Sequence, residues 1–399
     1  MGITCCRSDG AHAKDAKAQL DQTFGHGTGE ALQEMSELLA GVDEQISGGK
    51  GLNHPLLINL GMILKQVEQE RRYVQPITSH FKFVDMNVMR KAARYAKFAS
   101  AAYLDSRKAI AEYIGGITVD DIKYHHSQSS SACPGFFVAC DPETTEIVLC
   151  IQGRATATDA LPEVVCTKES FMGGRAHARI LEKARCLVDA AKDQVVRLSQ
   201  ESPRKSVAIV GHSIGAATAV LAMILLSGDG FPFSRLMAAA KVKCYAFAPP
   251  PIFEPLWALP PWVHASTYSF VNGMDCVPRV CLGTVSKLFL AMKQVDALPM
   301  TLLQRLSFLR GDYELEYQLP DYVEIPQELQ SSLGSLYGIG VIILFYRSED
   351  CRLQSETITP AMIDRILLHP FMVRDHLMVA YEQSTMEACA ALRPKVFCC

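Results

Sequence analysis

The sequence predicts a layered α/β fold with a mainly parallel sheet, and three observations carry that prediction. From residue 135 onward, short apolar runs alternate with helix-length stretches, as strand–helix–strand units do. One run, Val207–Val210, leads through a turn of small residues into a long uncharged helical stretch ending near Gly228. The chain has 399 residues, 49% hydrophobic and 20% charged, enough to bury a large core and too apolar to be disordered.

Residues 1–20 are mostly small and polar and read as a flexible arm. Apolar positions at helical spacing (Leu38, Leu39, Val42, Ile46, then Leu57, Ile58, Met62, Ile63, Val67) predict two helices over 30–48 and 55–74, parted by Gly48-Gly49-Lys50-Gly51. They form a helical extension over 21–83. An Ala-rich helix over Met89–Tyr103 opens the main domain, 84–390. Phe136–Cys140, the turn at Asp141-Pro142-Glu143 and Ile147–Ile151 make a hairpin. A helix over about His177–Ser199 precedes the Val207 strand, and further strands follow at Val242–Phe247, Tyr268–Val271 and Val341–Tyr346. Residues 284–335 fit no regular layer and read as an insertion, and 391–399 form a Cys-ended tail.

A formal charge of −3 argues against a nucleic-acid surface, which usually shows a strongly basic stripe. The 14 cysteines, with no signal peptide and no disulfide-scaffold spacing, read as reduced cytosolic thiols. Val207–Gly228 is long enough to span a bilayer, but Gly211, His212, Ser213 and Gly215 interrupt it, so it reads as a buried strand, a turn and a buried helix. No zinc spacing, EF-hand loop, phosphate loop or dinucleotide fingerprint occurs, and no metal or cofactor is expected.

Gly211-His212-Ser213-Ile214-Gly215 is a G-x-S-x-G between strand and helix. Small neighbours are needed there because the serine sits on a sharp, strained turn that lifts its hydroxyl above the sheet, with the Ile214 N–H beside it. A serine hydroxyl needs a base, and the base an orienting carboxylate, which follow in the order Ser, Asp, His in α/β-hydrolases. Asp275 comes just after the Tyr268–Val271 strand, at the sheet edge where the serine also lies. Asp229, at the far end of the serine's helix, points the wrong way. Of the later histidines, His264 breaks the order, His376 starts a helix after the last strand, and His369 is the alternative. His212 reads as a packing residue.

These residues resemble those of the class 3 lipases, and of their diacylglycerol lipase-like branch above all. The likeness lies in Gly211-His212-Ser213-Ile214-Gly215-Ala216-Ala217-Thr218-Ala219, Lys243-Cys244-Tyr245-Ala246-Phe247-Ala248-Pro249-Pro250, Asn272-Gly273-Met274-Asp275-Cys276-Val277-Pro278-Arg279 and Asp375-His376. It extends to Ile151-Gln152-Gly153 with Asp159, and to Gly174 with His177. The resemblance implies an α/β-hydrolase fold, Ser213 as nucleophile, Asp275 as orienter and His376 as base, and hydrolysis of a glycerolipid acyl ester. It places the oxyanion amides on Ile214 and Arg154. Arg154 stands where the family usually has a small hydroxyl residue; its side chain meets a substrate phosphate or glycerol end, or pairs with Asp159 or Glu163. Residues 155–172, with Val164, Val165, Phe171 and Met172, lie where relatives carry a lid.

Gly2 with Cys5 and Cys6 matches a myristoylation and palmitoylation site, and two acyl chains anchor a protein stably where one does not. Cys398-Cys399 resembles a prenylated end. Leu288–Leu309, with Lys287, Lys293, Arg305 and Arg310, is either packed core or an amphipathic stretch for a membrane or calmodulin, and Pro299 breaks it. The expectation is a serine lipase acting on mono- or diacylglycerol at the cytoplasmic face of a membrane. The rival is a membrane-attached scaffold that keeps the fold, and a third reading is an esterase of soluble substrates.

Overall fold

A computed structural model describes residues 27–47, 52–69, 84–127, 132–154, 167–202, 206–227, 241–329, 334–348 and 350–391, with scattered positions beside them. Gly2, Cys5, Cys6, the Gly48–Gly51 break, Asp159, Asp229, Cys398-Cys399 and most of the 155–172 segment lie outside the described residues.

In chain order, α1 (Thr28–Ser47) and α2 (Leu56–Gln69) are followed by α3 (Met86–Ala101) and α4 (Arg107–Ile114). Helix α3 begins earlier than its apolar spacing implies because the Asp85 side chain accepts the Asn87 N–H as an N-cap. Strands β1 (Ile122–His126), β2 (Phe136–Asp141), β3 (Glu146–Ile151), β4 (Lys168–Phe171) and β5 (Gly174–His177) come next, then α5 (Ala178–Glu201). Strand β6 (Val207–His212) runs into α6 (Ile214–Leu226), followed by β7 (Val242–Phe247), β8 (Phe253–Glu254), α7 (Pro261–Ser266) and β9 (Thr267–Asn272). Helices α8 (Leu282–Asp296) and α9 (Leu302–Arg310), strands β10 (Val341–Arg347) and β11 (Leu353–Ile358), and α10 (Met378–Ala391) complete the order. No helix of the described residues is long and apolar enough to cross a membrane.

The chain divides into two compact units. One is formed by Met1–Ile77, Arg279–Ser335 and Asp364–Val373. In it α8 packs on α1 and α2, and α9 on α2, through Leu32, Met35, Leu39, Leu60, Met62, Leu288, Phe289, Met292 and Leu309, all buried. The stretch Leu288–Leu309 is therefore two helices on either side of Pro299, with most of its apolar residues spent on packing, while Leu303 is exposed. The segment 284–335, which the sequence leaves without a layer, here joins the two N-terminal helices. Asp296, at the end of α8, accepts the N–H groups of Asn53 (2.7 Å) and His54 (2.9 Å) and the Asn59 amide (3.1 Å). Burial alone would raise its carboxyl pKa, but these donors hold it below the usual value. Buried Arg305 donates to the carbonyls of Val295 (3.0 Å), Asp296 (3.0 Å) and Leu298 (3.2 Å), closing the last turn of α8.

The other unit, Thr78–Pro278, Leu336–Ile363 and Arg374–Cys399, holds an eight-stranded sheet in the order β1-β2-β3-β6-β7-β9-β10-β11. Strands β3, β6, β7, β9 and β10 are mutually parallel, and β1, β2 and β11 add antiparallel edges. Alternate residues face opposite sides. Phe137, Ala139, Val148, Cys150, Ala208, Val210, Tyr245 and Phe247 share a core with Tyr95 and Phe98 of α3 and Tyr381 of α10. The interleaved residues, such as Ile209, turn to the layer of α5 and α6. Burial on both faces makes the parallel strands read as continuous apolar runs. Strands β4, β5 and β8 form a small second sheet. The described end of the 155–172 segment, Lys168–Met172, is thus β4 and the turn that follows it.

Candidate active site

Ser213 sits between β6 and α6 with φ +59 and ψ −130, a backbone conformation that costs a non-glycine residue about 1–3 kcal/mol and marks sites where strain is put to use. Three close approaches hold it there. A Cβ on Gly211 would collide with the Gly215 carbonyl, one on Gly215 with the Ile151 and Gln152 carbonyls, and one on Gly153 with the His212 carbonyl. The end of β3 therefore crosses directly against the turn. The Ser213 N–H is tied to the Phe247 carbonyl (2.8 Å) at the end of β7.

Asp275 follows β9 through a tight turn in which its N–H bonds to the Asn272 carbonyl (2.9 Å). His376 closes a short 3-10 turn, Arg374–His376, just before α10. The structure joins these three side chains. His376 Nε2 lies 3.0 Å from Ser213 Oγ, and its Nδ1 lies 3.1 and 3.0 Å from the two Asp275 oxygens. All three are fully buried. Asp275 Oδ1 also accepts the Val277 N–H (2.9 Å), and Oδ2 the Tyr381 hydroxyl (2.7 Å). That hydroxyl in turn accepts the Asn272 N–H (2.9 Å). Burial, then the Asp275 charge, drives the Tyr381 pKa far above its usual value, so it stays a donor. Elsewhere, His264 faces the Leu256 carbonyl, and His369 accepts the Phe371 N–H.

His212 does more than pack. Its Nε2 lies 2.8 Å from the His376 carbonyl, which can only accept, so Nε2 carries the proton. Its Nδ1 then accepts from the Tyr103 hydroxyl at 2.8 Å. The Tyr103 oxygen is also 3.0 Å from the Arg154 carbonyl, so one phenol lies between the loop after β3 and the loop bearing His376. Burial, then the neighbouring His376, pushes the His212 pKa well below the ordinary histidine value. Nothing local in the sequence marks Tyr103 or Tyr381 as a partner.

Ile214 opens α6, in the first turn, where a backbone N–H has no acceptor within its own helix. Arg154 follows Gly153, and its guanidinium bonds to Glu163, with Nε at 2.6 Å. Lys183 approaches the same carboxylate at 3.4 Å. Of the alternatives the sequence leaves open for Arg154, the structure shows the ion pair with Glu163.

The class 3 lipase family model matches residues 148–284, the span from β3 through the serine turn to the beginning of α8. Over that span the chain is class 3 lipase-like. Mouse diacylglycerol lipase-beta is 27% identical over 164 residues, 38% of this chain and 23% of that protein. The secreted mono- and diacylglycerol lipase A of Penicillium cyclopium is 24% identical over 164 residues, 40% of this chain and 51% of that protein. The chain thus spans about half or less of the curated relatives it matches. Among solved structures, the Rhizomucor miehei lipase–propeptide complex superposes with a TM-score of 0.50 at 17% identity, covering 75% of this chain and 83% of that one. The lipase of Rhizopus microsporus var. chinensis gives 0.50 at 17% identity, covering 76% and 90%. These likenesses show the fold, the α/β-hydrolase fold of the fungal lipases.

Proposed function

We propose that this protein is a serine ester hydrolase that cleaves acyl esters of glycerolipids, mono- or diacylglycerol foremost, at a membrane surface. The observation that carries the chemistry is the buried line from Ser213 through His376 to Asp275 on a serine held at positive φ. His376 Nε2 takes the Ser213 proton as the oxygen attacks the acyl carbon, and Asp275 offsets the imidazolium charge. The Ile214 and Arg154 amides meet the oxyanion. Collapse expels the glyceride alkoxide, which takes the proton from His376 and leaves an acyl-serine. Water, deprotonated by the same imidazole, then releases the fatty acid and restores Ser213. The names of the mouse and Penicillium relatives support the glyceride class. The Gly2, Cys5 and Cys6 pattern supports a lipid-anchored position on a cytoplasmic membrane face.

The test is covalent labelling by a fluorophosphonate probe together with hydrolysis of diacylglycerol in mixed micelles. Wild type is expected to label and to release fatty acid. Ser213→Ala is expected to do neither, with hydrolysis down about 10⁶-fold. Folded wild type that takes no label in the presence of lipid would overturn the catalytic reading.

A further inference from the structure

Tyr103 lies two residues beyond the end of α3, where the last turn of the helix fixes its backbone. Its N–H bonds to the Ser100 carbonyl (3.3 Å), and the Leu104 N–H to that of Ala101 (3.1 Å). Helix α3 packs on both α10 and the sheet, so this side chain starts from a rigid base. Its hydroxyl oxygen reaches to 2.8 Å from His212 Nδ1 and 3.0 Å from the Arg154 carbonyl. The phenol ring meets the imidazole edge-on, 6.1 Å between centroids at 72°.

Proton count fixes the direction of each bond. The His212 Nε2 proton goes to the His376 carbonyl (2.8 Å), so the neutral ring keeps a bare Nδ1. The Arg154 carbonyl can only accept. Both neighbours of the phenol oxygen are therefore acceptors, and its single proton serves the two. Burial, then the Cys150 thiol, pushes the Tyr103 pKa up, so that proton stays in place. One hydroxyl thus ties the loop after β3 to the residue before the nucleophile, and through His212 to the backbone of His376. Arg154 is held at two points, by Tyr103 at its carbonyl and by Glu163 at its guanidinium, with Nε at 2.6 Å. With the guanidinium engaged, what Arg154 can offer an oxyanion is its backbone N–H.

We propose that Tyr103 is a positioning residue for ester hydrolysis: it holds the Arg154 backbone and the His212 ring together, so that the Arg154 amide stays aligned with Ser213. The inference rests on the serine-hydrolase reading above. An oxyanion donor lowers the barrier only if it is already aimed where the charge develops. A loop left to turn about the Arg154 dihedrals would have to be aligned again in every turnover. Tyr103 acts here through backbone and imidazole, as a partner that orients the groups that meet the reacting atoms.

The test compares full-length wild type with Tyr103→Phe on a soluble short-chain ester and on the matching thionoester, in which sulfur replaces the carbonyl oxygen. Sulfur accepts N–H bonds weakly, so the ratio of the two rates reads the oxyanion donors. A fault in His376, in Asp275 or in folding slows both esters alike. Fluorophosphonate titration counts active sites, and rates are expressed per site. Tyr103→Phe keeps the ring; its kcat on the ester is expected to fall about 10- to 100-fold with KM nearly unchanged. The ester-to-thionoester ratio is expected to fall about tenfold with it. Replacing Tyr103 by 4-aminophenylalanine supplies a donor for both acceptors and is expected to restore the ratio. An unchanged kcat in Tyr103→Phe, an equal loss on both esters, or no recovery with 4-aminophenylalanine would each overturn the proposal. Wild type that takes no label would bring down the serine-hydrolase reading and the proposal with it, which tells the two failures apart.

Discussion

The Tyr381 hydroxyl accepts the Asn272 N–H at 2.9 Å and donates to Asp275 Oδ2 at 2.7 Å. With Val277 N–H on Oδ1, both carboxylate oxygens are fixed before His376 meets them, so the plane of the carboxylate sets the imidazole's orientation. Tyr381→Phe keeps the ring and removes this clamp. It is expected to lower kcat about tenfold with KM nearly unchanged, the usual size of losing a partner that orients a site residue. It should also lower stability by about 1–3 kcal/mol, because the buried Asn272 N–H loses its acceptor. Steady-state kinetics on a soluble ester and a thermal melt check both, and an unchanged kcat would remove the positioning role. Ser213, Asp275 and His376 were legible in the sequence because each carries a local mark. One lies in a small-residue turn after an apolar run, one just past a strand end, and one at a helix start. Tyr381 and Tyr103 carry no such mark. Their partners are set by how helices α10 and α3 lie on the sheet, and a phenol in a helix looks like any other core residue.

At the scale of elements, the catalytic geometry depends on how closely β3 and the β6–α6 turn approach. Gly153 is the contact point: a Cβ there falls on the His212 carbonyl, so either the loop bearing Arg154 or the serine turn must move. On the oxyanion role proposed for the Arg154 amide, Gly153→Ala is expected to cut ester hydrolysis by about 100-fold, the order that a displaced donor costs. Circular dichroism should stay that of wild type, since the strands themselves are not crossed. Near-normal activity in that variant would show that the loop can yield without disturbing the site. The five parallel strands were legible as short apolar runs because both their faces are buried. Strands β4, β5 and β11 were not: Lys168-Glu169-Ser170-Phe171, Gly174–His177 and Leu353–Ile358 are half-exposed and polar enough to read as loop. Helices α8 and α9 were obscured differently. Their apolar residues face α1 and α2, more than two hundred positions earlier in the chain, and a single sequence carries no sign of that pairing.

For the whole molecule, the buried imidazole of His212 sets how stability answers to pH. Its two nitrogens are committed to the His376 carbonyl and the Tyr103 hydroxyl, and its ring lies tilted against that of His376, 4.8 Å between centroids. A proton added to it would meet burial first and the His376 ring second, which is why its pKa is held well below normal. In the unfolded chain the same histidine titrates near pH ~6.5. Below that value the unfolded state takes up a proton that the folded state refuses. Stability therefore falls as pH drops, by up to about 1.4 kcal/mol per pH unit for one such group. His125, lowered first by partial burial and then by Arg107, adds the same sign. Asp296, held low by its donors, loses its contribution only further down, below the ordinary carboxylate range. Asp375 is raised by burial, so acid favours its folded form and opposes the trend. The melting temperature is therefore expected to be level above about pH 7 and to fall between about pH 6.5 and 5. His212→Gln retains a donor for the His376 carbonyl and an acceptor for Tyr103 but cannot titrate. Its melting temperature should lose most of that acid slope, and an equal slope in wild type and His212→Gln would assign the acid sensitivity to another group.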